Sequence, residues 1–416
     1  MKTKSILTLI TVLSGYVTNG QHLTSLNEII QTIDTANPTA KMYEAGIQSL
    51  DAAAKGARSW MPAEFGTGLW MVPYNPGLWQ KGANGATGMG QYMLSVQQMI
   101  PNKKKQAAEA AYMEAMSAPE KERKMFALNE VHAEAKKNYY DWIIINKRLA
   151  ILDENEQLLL FMIKNAEIRY KNGLDKLNAY YKAKAELGNL LNTKTGLENE
   201  INQKRIRLNT LMNRDKLQSY NIDSAYTTKN YDSSTFNANA LNTKSNIRAI
   251  DKDIQLSALQ QDAERAKALP EYGLRYDHMF GFGGLPMQYT LMGIVRIPIG
   301  RANMASKANV ESLRWKSESL SQQKQLLLNE TSGLVSGMTS DIISKKKQVK
   351  LFEDNILPAM RKNYEVTQLG YQQNTEQLLT LLDAWDGLYK TQTEYLNQLQ
   401  QLLNMQVELE RILEIK

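Results

Sequence analysis

Three histidines, His22, His132 and His278, are the only imidazoles in this chain of 416 residues, and it has no cysteine. Zinc or acid/base chemistry needs imidazoles, thiolates or carboxylates converging on one point. The three histidines lie near the N-terminus, on a helix-forming stretch and at a strand end, so neither a zinc triad nor an acid/base dyad is indicated. Without thiols there are no disulfides, no thiolate catalysis and no lipid-bearing N-terminal cysteine. Glycines cluster at Gly82, Gly85, Gly88 and Gly90, and at Gly281, Gly283 and Gly284. A phosphate cradle sits between a strand and a helix of a βαβ unit, whereas both clusters join two strand-like segments and read as loops. Methionines gather around the same segments: Met61, Met71, Met89, Met93, Met99, Met279, Met287 and Met292. Thioether sulfur binds Cu(I), but several of these residues fall on alternate strand faces, and packing in an irregular apolar wall is the reading taken. The sequence therefore predicts no enzyme, no cofactor and no metal site.

The elements that must position these residues follow from composition and periodicity. Lys2 and Lys4 precede an apolar run, Ile6 to Val17, which ends in Thr18-Asn19-Gly20, the pattern of a signal peptide over residues 1–20. Removing it takes the formal charge from +7 to about +5 with acids and bases interspersed, which excludes a nucleic-acid signature. No other apolar run reaches the length of a spanning helix: Trp142 to Leu152 is cut by Lys147-Arg148. Entry into a membrane would require a closed β-barrel.

The chain also repeats itself. Gln91-Tyr92-x-Leu94 followed by Ile100-Pro101 recurs with the same spacing as Gln288-Tyr289-x-Leu291 followed by Ile297-Pro298. The first repeat spans 21–214: a helix over 25–58 interrupted at Asn37-Pro38, strands at 63–72 and 90–100, a long helix from Asn102 to Arg169 with a kink or restart at Ser117-Ala118-Pro119-Glu120, and a second helix to about Asn213. A polar linker over 215–245 leads to the second repeat, 246–416, with a helix, strands at 271–279 and 288–297, a long helix to Leu369 and a last helix from Thr375. Tyr92, Leu94 and Val96 alternate with Gln91, Ser95 and Gln97, as lipid outside and water inside would require. Trp60, Trp70, Tyr74, Trp79, Tyr92, Tyr272, Tyr276 and Tyr289 lie at or near strand ends, as in an interfacial girdle. Leu378, Leu381, Trp385, Leu388, Gln392, Tyr395, Leu399, Leu402, Gln406, Leu409 and Leu413 keep three-four spacing, a coiled-coil seam, and Leu382, Tyr389, Leu396 and Leu403 add a second line. Two lines let one helix pack on both sides, as a wall of helices needs. Four strands cannot close a barrel, so the strand count forces oligomerisation.

In these features the chain resembles the TolC-like outer-membrane factor family. The residues that carry the likeness are Arg169-Tyr170-Lys171-Asn172-Gly173-Leu174, Ile356-Leu357-Pro358, Leu369-Gly370-Tyr371-Gln372-Gln373, Leu381-Leu382-Asp383-Ala384 and Leu409-Glu410-Arg411. The resemblance implies a mainly α fold with a β-barrel segment: a homotrimer with a twelve-stranded barrel in the outer membrane of a Gram-negative bacterium and a coiled-coil tunnel in the periplasm. It further implies the passive exit duct of a tripartite efflux pump, opened at its helical tip by a periplasmic adaptor and powered by an inner-membrane pump of the resistance-nodulation-division type. A type I polypeptide secretion duct and a periplasmic coiled-coil scaffold without a pore stand as alternatives. Outer-membrane lipid is an implied partner and nucleic acid is not; one branch of the family exports metals. The tip turns are Tyr170, Asn172 and Gly173, and Tyr371 and Asn374, the last standing where the family usually has glycine. Asp383 matches the family's aperture acid; Glu376, Asp386 and Asp175 are further candidates, and Thr380 stands where a second acid is common. The same acids also fit the solvated face of an amphipathic helix.

Overall fold

The computed structural model describes residues 23–173, 176–231 and 241–415; the expected signal peptide, His22, Asp175 and part of the polar linker lie outside them. A two-residue strand β1 (Leu23–Thr24) precedes helices α1 (Leu26–Ala36) and α2 (Pro38–Lys55). Strands β2 (Glu64–Trp70) and β3 (Gln91–Ile100) follow, then α3 (Lys103–Ala115), α4 (Ser117–Lys171) and α5 (Leu177–Leu211). After strand β4 (Asn221–Ile222) the order recurs: α6 (Ser245–Ala266), β5 (Glu271–Gly281), β6 (Gln288–Arg296), α7 (Met304–Leu351), α8 (Leu357–Gln372) and α9 (Leu378–Leu413). The chain is mainly helical with a four-stranded sheet.

Local chemistry sets the breaks. Ser25 and Glu28 form a capping box at the start of α1, with backbone-to-side-chain bonds of 2.9 and 3.3 Å. Asn37 is extended (φ −63°, ψ 131°) because it precedes Pro38. Pro119 lacks an N–H and its ring would meet the carbonyl of Ala115, so α3 ends and α4 restarts at Ser117. Pro358 has the same effect on the second long helix in a different form. There the chain makes a π-turn over Phe352–Ile356, with the Leu357 N–H reaching back five residues to the Phe352 carbonyl.

The described residues form two compact units, and each draws on both halves of the repeat: one takes its residues from 23–37, Val131–Asn230 and Ile342–Val407, the other from Pro38–Glu130, Tyr231–Asp341 and 408–415. In the first unit, buried residues recur every seven positions: Ile145, Leu152, Leu159 and Ala166 on α4, and Ala183, Leu190 and Leu197 on α5. They meet Tyr364 and Tyr371 of α8 and Leu378, Leu381, Trp385 and Leu388 of α9. Each fully buried leucine here stabilises the fold by roughly 1.5–3 kcal/mol. Near the end of α7 Ile342 and Val349 are seven apart, as are Leu357, Tyr364 and Tyr371 of α8, but the step from Val349 to Leu357 is eight. The π-turn absorbs that extra residue and keeps the seam on one side. A second cluster joins Ile29 and Ile33 of α1 to Tyr139, Trp142 and Ile143 of α4 and to Leu208, Leu211 and Met212 near the end of α5. Beside it β1 pairs in parallel with β4.

The second unit contains the sheet, ordered β2-β3-β5-β6 with every neighbouring pair antiparallel. Its outer strands β2 and β6 each have one edge without a strand partner among the described residues. In the same unit, Arg123 of α4 joins Asp253 of α6 at 2.6 Å, and Ser257 donates to the Leu313 carbonyl of α7 at 3.1 Å.

Candidate functional site

The tip turns lie in the first unit. Gly173 takes φ +73° and Asn374 takes φ +62°, the left-handed conformation that ends a helix and that asparagine adopts more readily than other side-chain-bearing residues. In the second turn the Gly370 carbonyl accepts from the Thr375 N–H at 2.9 Å and from the Glu376 N–H at 3.2 Å. The Glu376 side chain folds so closely over Gly370 that a Cβ there would come within 2.8 Å of its Cγ. Arg169 ties the two turns together: its guanidinium stacks on the Tyr371 ring at 4.6 Å, donates to the Tyr371 carbonyl at 3.4 Å and bonds Asn374 Oδ1. Tyr371 is buried and Tyr170 is exposed. Sequence reasoning placed Arg169 in a motif without assigning it this bridge; a cation one turn before Asn172-Gly173 was the available signal.

The candidate acids are not alike. Asp383 is exposed and pairs with Lys182 of α5 at 3.0 Å, whereas Asp386 pairs with Lys390 on its own helix at 2.6 Å. Asp386 pushes the Lys390 ammonium above its ordinary value by hydrogen bonding, with its charge acting in the same direction. Glu167 does the same to Lys171 beside the first turn. Glu376 is exposed at the turn, and Asp175 lies outside the described residues. Water screens such exposed pairs and they add little to the fold, so these acids are placed for contact with solvent and ions more than for stability. Below them, burial pushes the Tyr364 hydroxyl up to about 12.

The sheet in the second unit has two chemically opposite faces. Register places Phe65, Val96, Tyr276 and Leu291 side by side across all four strands. Leu69, Tyr92 and Phe280 form another rung of that face, and Ile100, Tyr272 and Val295 a third. The opposite face carries Glu64, Gln97 and Arg275 on one rung and Ser95, Asp277 and Thr290 on the next. The register corrects the alternate-face reading of the methionines: Met93, Met99, Met279 and Met292, the methionines within the strands, all stand on the polar face. Single-sequence alternation could have shown this strand by strand, but pairing is needed to see that one face is shared.

The glycine clusters occupy the β2–β3 and β5–β6 connections, where two loops touch. The Gly88 N–H donates to the Gly283 carbonyl at 2.8 Å, and Trp79 stacks on Phe282 at 5.7 Å. Gly283 has φ +57°, and a Cβ on it would meet backbone atoms of Gly88 and Trp79 within 2.7 Å. His132 bonds Asp34 at 2.7 Å in the first unit, and His278 sits on the apolar sheet face with Tyr276 Oη 3.2 Å from its Nδ1. Among the described residues no group of three or more His, Cys, Asp or Glu could hold a metal ion, and no helix is long and apolar enough to cross a membrane.

No family model matches the sequence, and no curated protein matches it. Solved structures do match in fold. The outer membrane protein VceC of Vibrio cholerae is 16% identical, with a TM-score of 0.73 over 93% of this chain and 95% of its own. The Campylobacter jejuni CmeC outer membrane channel is 13% identical, with a TM-score of 0.72 over 93% and 85%. The open-state Neisseria gonorrhoeae MtrE outer membrane channel is 14% identical, with a TM-score of 0.69 over 93% and 88%. The chain has the fold of these TolC-like channels.

Proposed function

We propose that this chain is one protomer of a homotrimeric, passive exit duct in the outer membrane of a Gram-negative bacterium, serving a tripartite efflux pump and carrying out no catalysis. The observation that supports it most is the two-faced sheet. One face is apolar and exposed, the other polar, and both edges are unpaired among the described residues, so a sheet of four strands reaches a closed wall only with further copies. Three copies would supply twelve strands, as the fold likeness suggests. The helical unit would extend into the periplasm, and an adaptor would open its turns so that an inner-membrane pump of the resistance-nodulation-division type could drive cargo through. Asp383, Asp386 and Glu376 would face the closed aperture.

Carbonate washing and detergent extraction, followed by cross-linking and planar-bilayer recording, test this reading. A duct stays in the membrane through carbonate, cross-links as a trimer and conducts after reconstitution; a carbonate-released monomer without conductance refutes it and favours the scaffold. Asp383→Ala is expected to lower cation selectivity and weaken block by multivalent cations. Unchanged current-voltage curves remove Asp383 from the aperture.

A further inference from the structure

The distribution of methionine on the sheet is one-sided. All four strand methionines lie on the polar face, while the opposite face is built mainly from Phe, Leu, Val, Ile and Tyr, with Thr67, Gln98 and His278 among them and no methionine at all. If these side chains served only as adaptable filler against lipid, the apolar face is where they would be found. A thioether gains little from water, but it is a soft ligand for monovalent coinage-metal ions.

The four are not equivalent. Met99 is buried, and its sulfur lies 2.5 Å from where a Cβ on Gly273 would be, so it fills the space that glycine leaves. Met292 is paired in register with Arg275, whose charge opposes a cation. Met93 and Met279 are direct cross-strand partners. Side chains so opposed have Cβ atoms about 4.5–5.5 Å apart, which lets two flexible thioethers close on one ion. The rest of that rung is Gly68 on β2, which leaves one side open, and Gln288 on β6, whose Oε1 accepts from Gln91 at 3.4 Å. On the adjacent rung Asp277 is buried and paired with Arg275 at 2.9 Å, so it is not available to a hard cation.

We propose that Met93 and Met279 form a contact site for a soft monovalent cation, Cu(I) or Ag(I), on the polar face of the sheet. The proposal deepens the duct reading and rests on it, because that face must be wetted for ions to reach it. With two sulfur ligands and no carboxylate, the site discriminates by softness and releases its ion readily, as a passing contact must.

The test uses the full-length protein in detergent, labelled at the methionine methyl carbons and titrated with silver nitrate in chloride-free buffer. The Met93 and Met279 methyl signals should shift together and saturate, while Met99 stays still and zinc has no effect. Met93→Leu and Met279→Leu, each close to volume-conserving, should each weaken silver binding at least tenfold. Should one variant fail to fold, the other carries the comparison. Equal shifts at every exposed methionine, or unaltered affinity in the variants, overturn the proposal. Conductance of the same preparation in planar bilayers is scored separately: its absence defeats the duct reading, whereas a conducting trimer indifferent to silver defeats only the metal contact.

Discussion

An arginine placed on either face of the sheet separates lipid from water. Tyr276 has five residues of β5 on either side of it, and Leu291 is its partner on β6. At about 3.4 Å per residue those five residues span about 17 Å along the strand, or about 13 Å along the membrane normal for a strand tilted by about 40°. Leu291 thus sits near the middle of an apolar band about 25 Å tall. Within the single chain Leu291 is 68% exposed, so its replacement disturbs little internal packing. In lipid, Leu291→Arg should cost about 2–4 kcal/mol, roughly 30- to 1000-fold in the folding equilibrium. Thr290→Arg moves the same charge one residue along onto the other face, beside Asp277, and should cost nearly nothing. Urea titration of refolding into phospholipid vesicles, with formation of heat-resistant oligomers as the readout, compares them directly. Equal midpoints for the two variants, or a larger loss for Thr290→Arg, would refute the assignment of the faces.

Further outcomes follow from the helical unit. Leu381 is fully buried in the helical core, and Leu381→Ala should destabilise by about 2–5 kcal/mol in helical circular dichroism against urea, whereas Val366→Ala on the exposed surface should stay within about 0.5 kcal/mol. Asn374→Gly and Asn374→Ala both lose the bond from Arg169, but only alanine is strained at φ +62°; glycine should be the more stable by about 1 kcal/mol in the same titration. Tyr364 has a folded pKa raised to about 12 from an ordinary value of 10.0, so its contribution is intact below pH 10 and is lost as pH rises towards 12. Tyr364→Phe should flatten that alkaline decline; because the hydroxyl has no hydrogen-bond partner among the described residues, the variant should be neutral or slightly stabilised at pH 7.

Much of the fold was legible because two periods dominate the sequence. Tyr92, Leu94 and Val96 alternating with polar neighbours gave a two-sided strand, and the sevenfold line from Leu381 through Leu388 gave the seam of α9, where packing requires just those spacings. The pairing of Leu23–Thr24 with Asn221–Ile222 was not legible, since two residues carry no period. Nor was the π-turn, which needs the side of Val349 and of Leu357 to be compared across Phe352–Ile356. At the turns, sequence marked Asn172-Gly173 and Gln373-Asn374, but not the bridge from Arg169, because contacts over 202 and 205 residues leave no local trace. The shared face of the methionines was likewise a matter of register between strands.

The step of eight from Val349 to Leu357 means that this helix carries one residue more than its seam uses. A deletion earlier along it would rotate everything downstream by about 100° and turn Tyr364 and Tyr371 away from the side their seam uses. Deleting a single residue within Phe352–Ile356, together with Pro358→Ala, would instead leave an unbroken α-helix in phase. The segment is therefore a stretch where the chain can shorten by a residue and keep its phase, a built-in tolerance to loss.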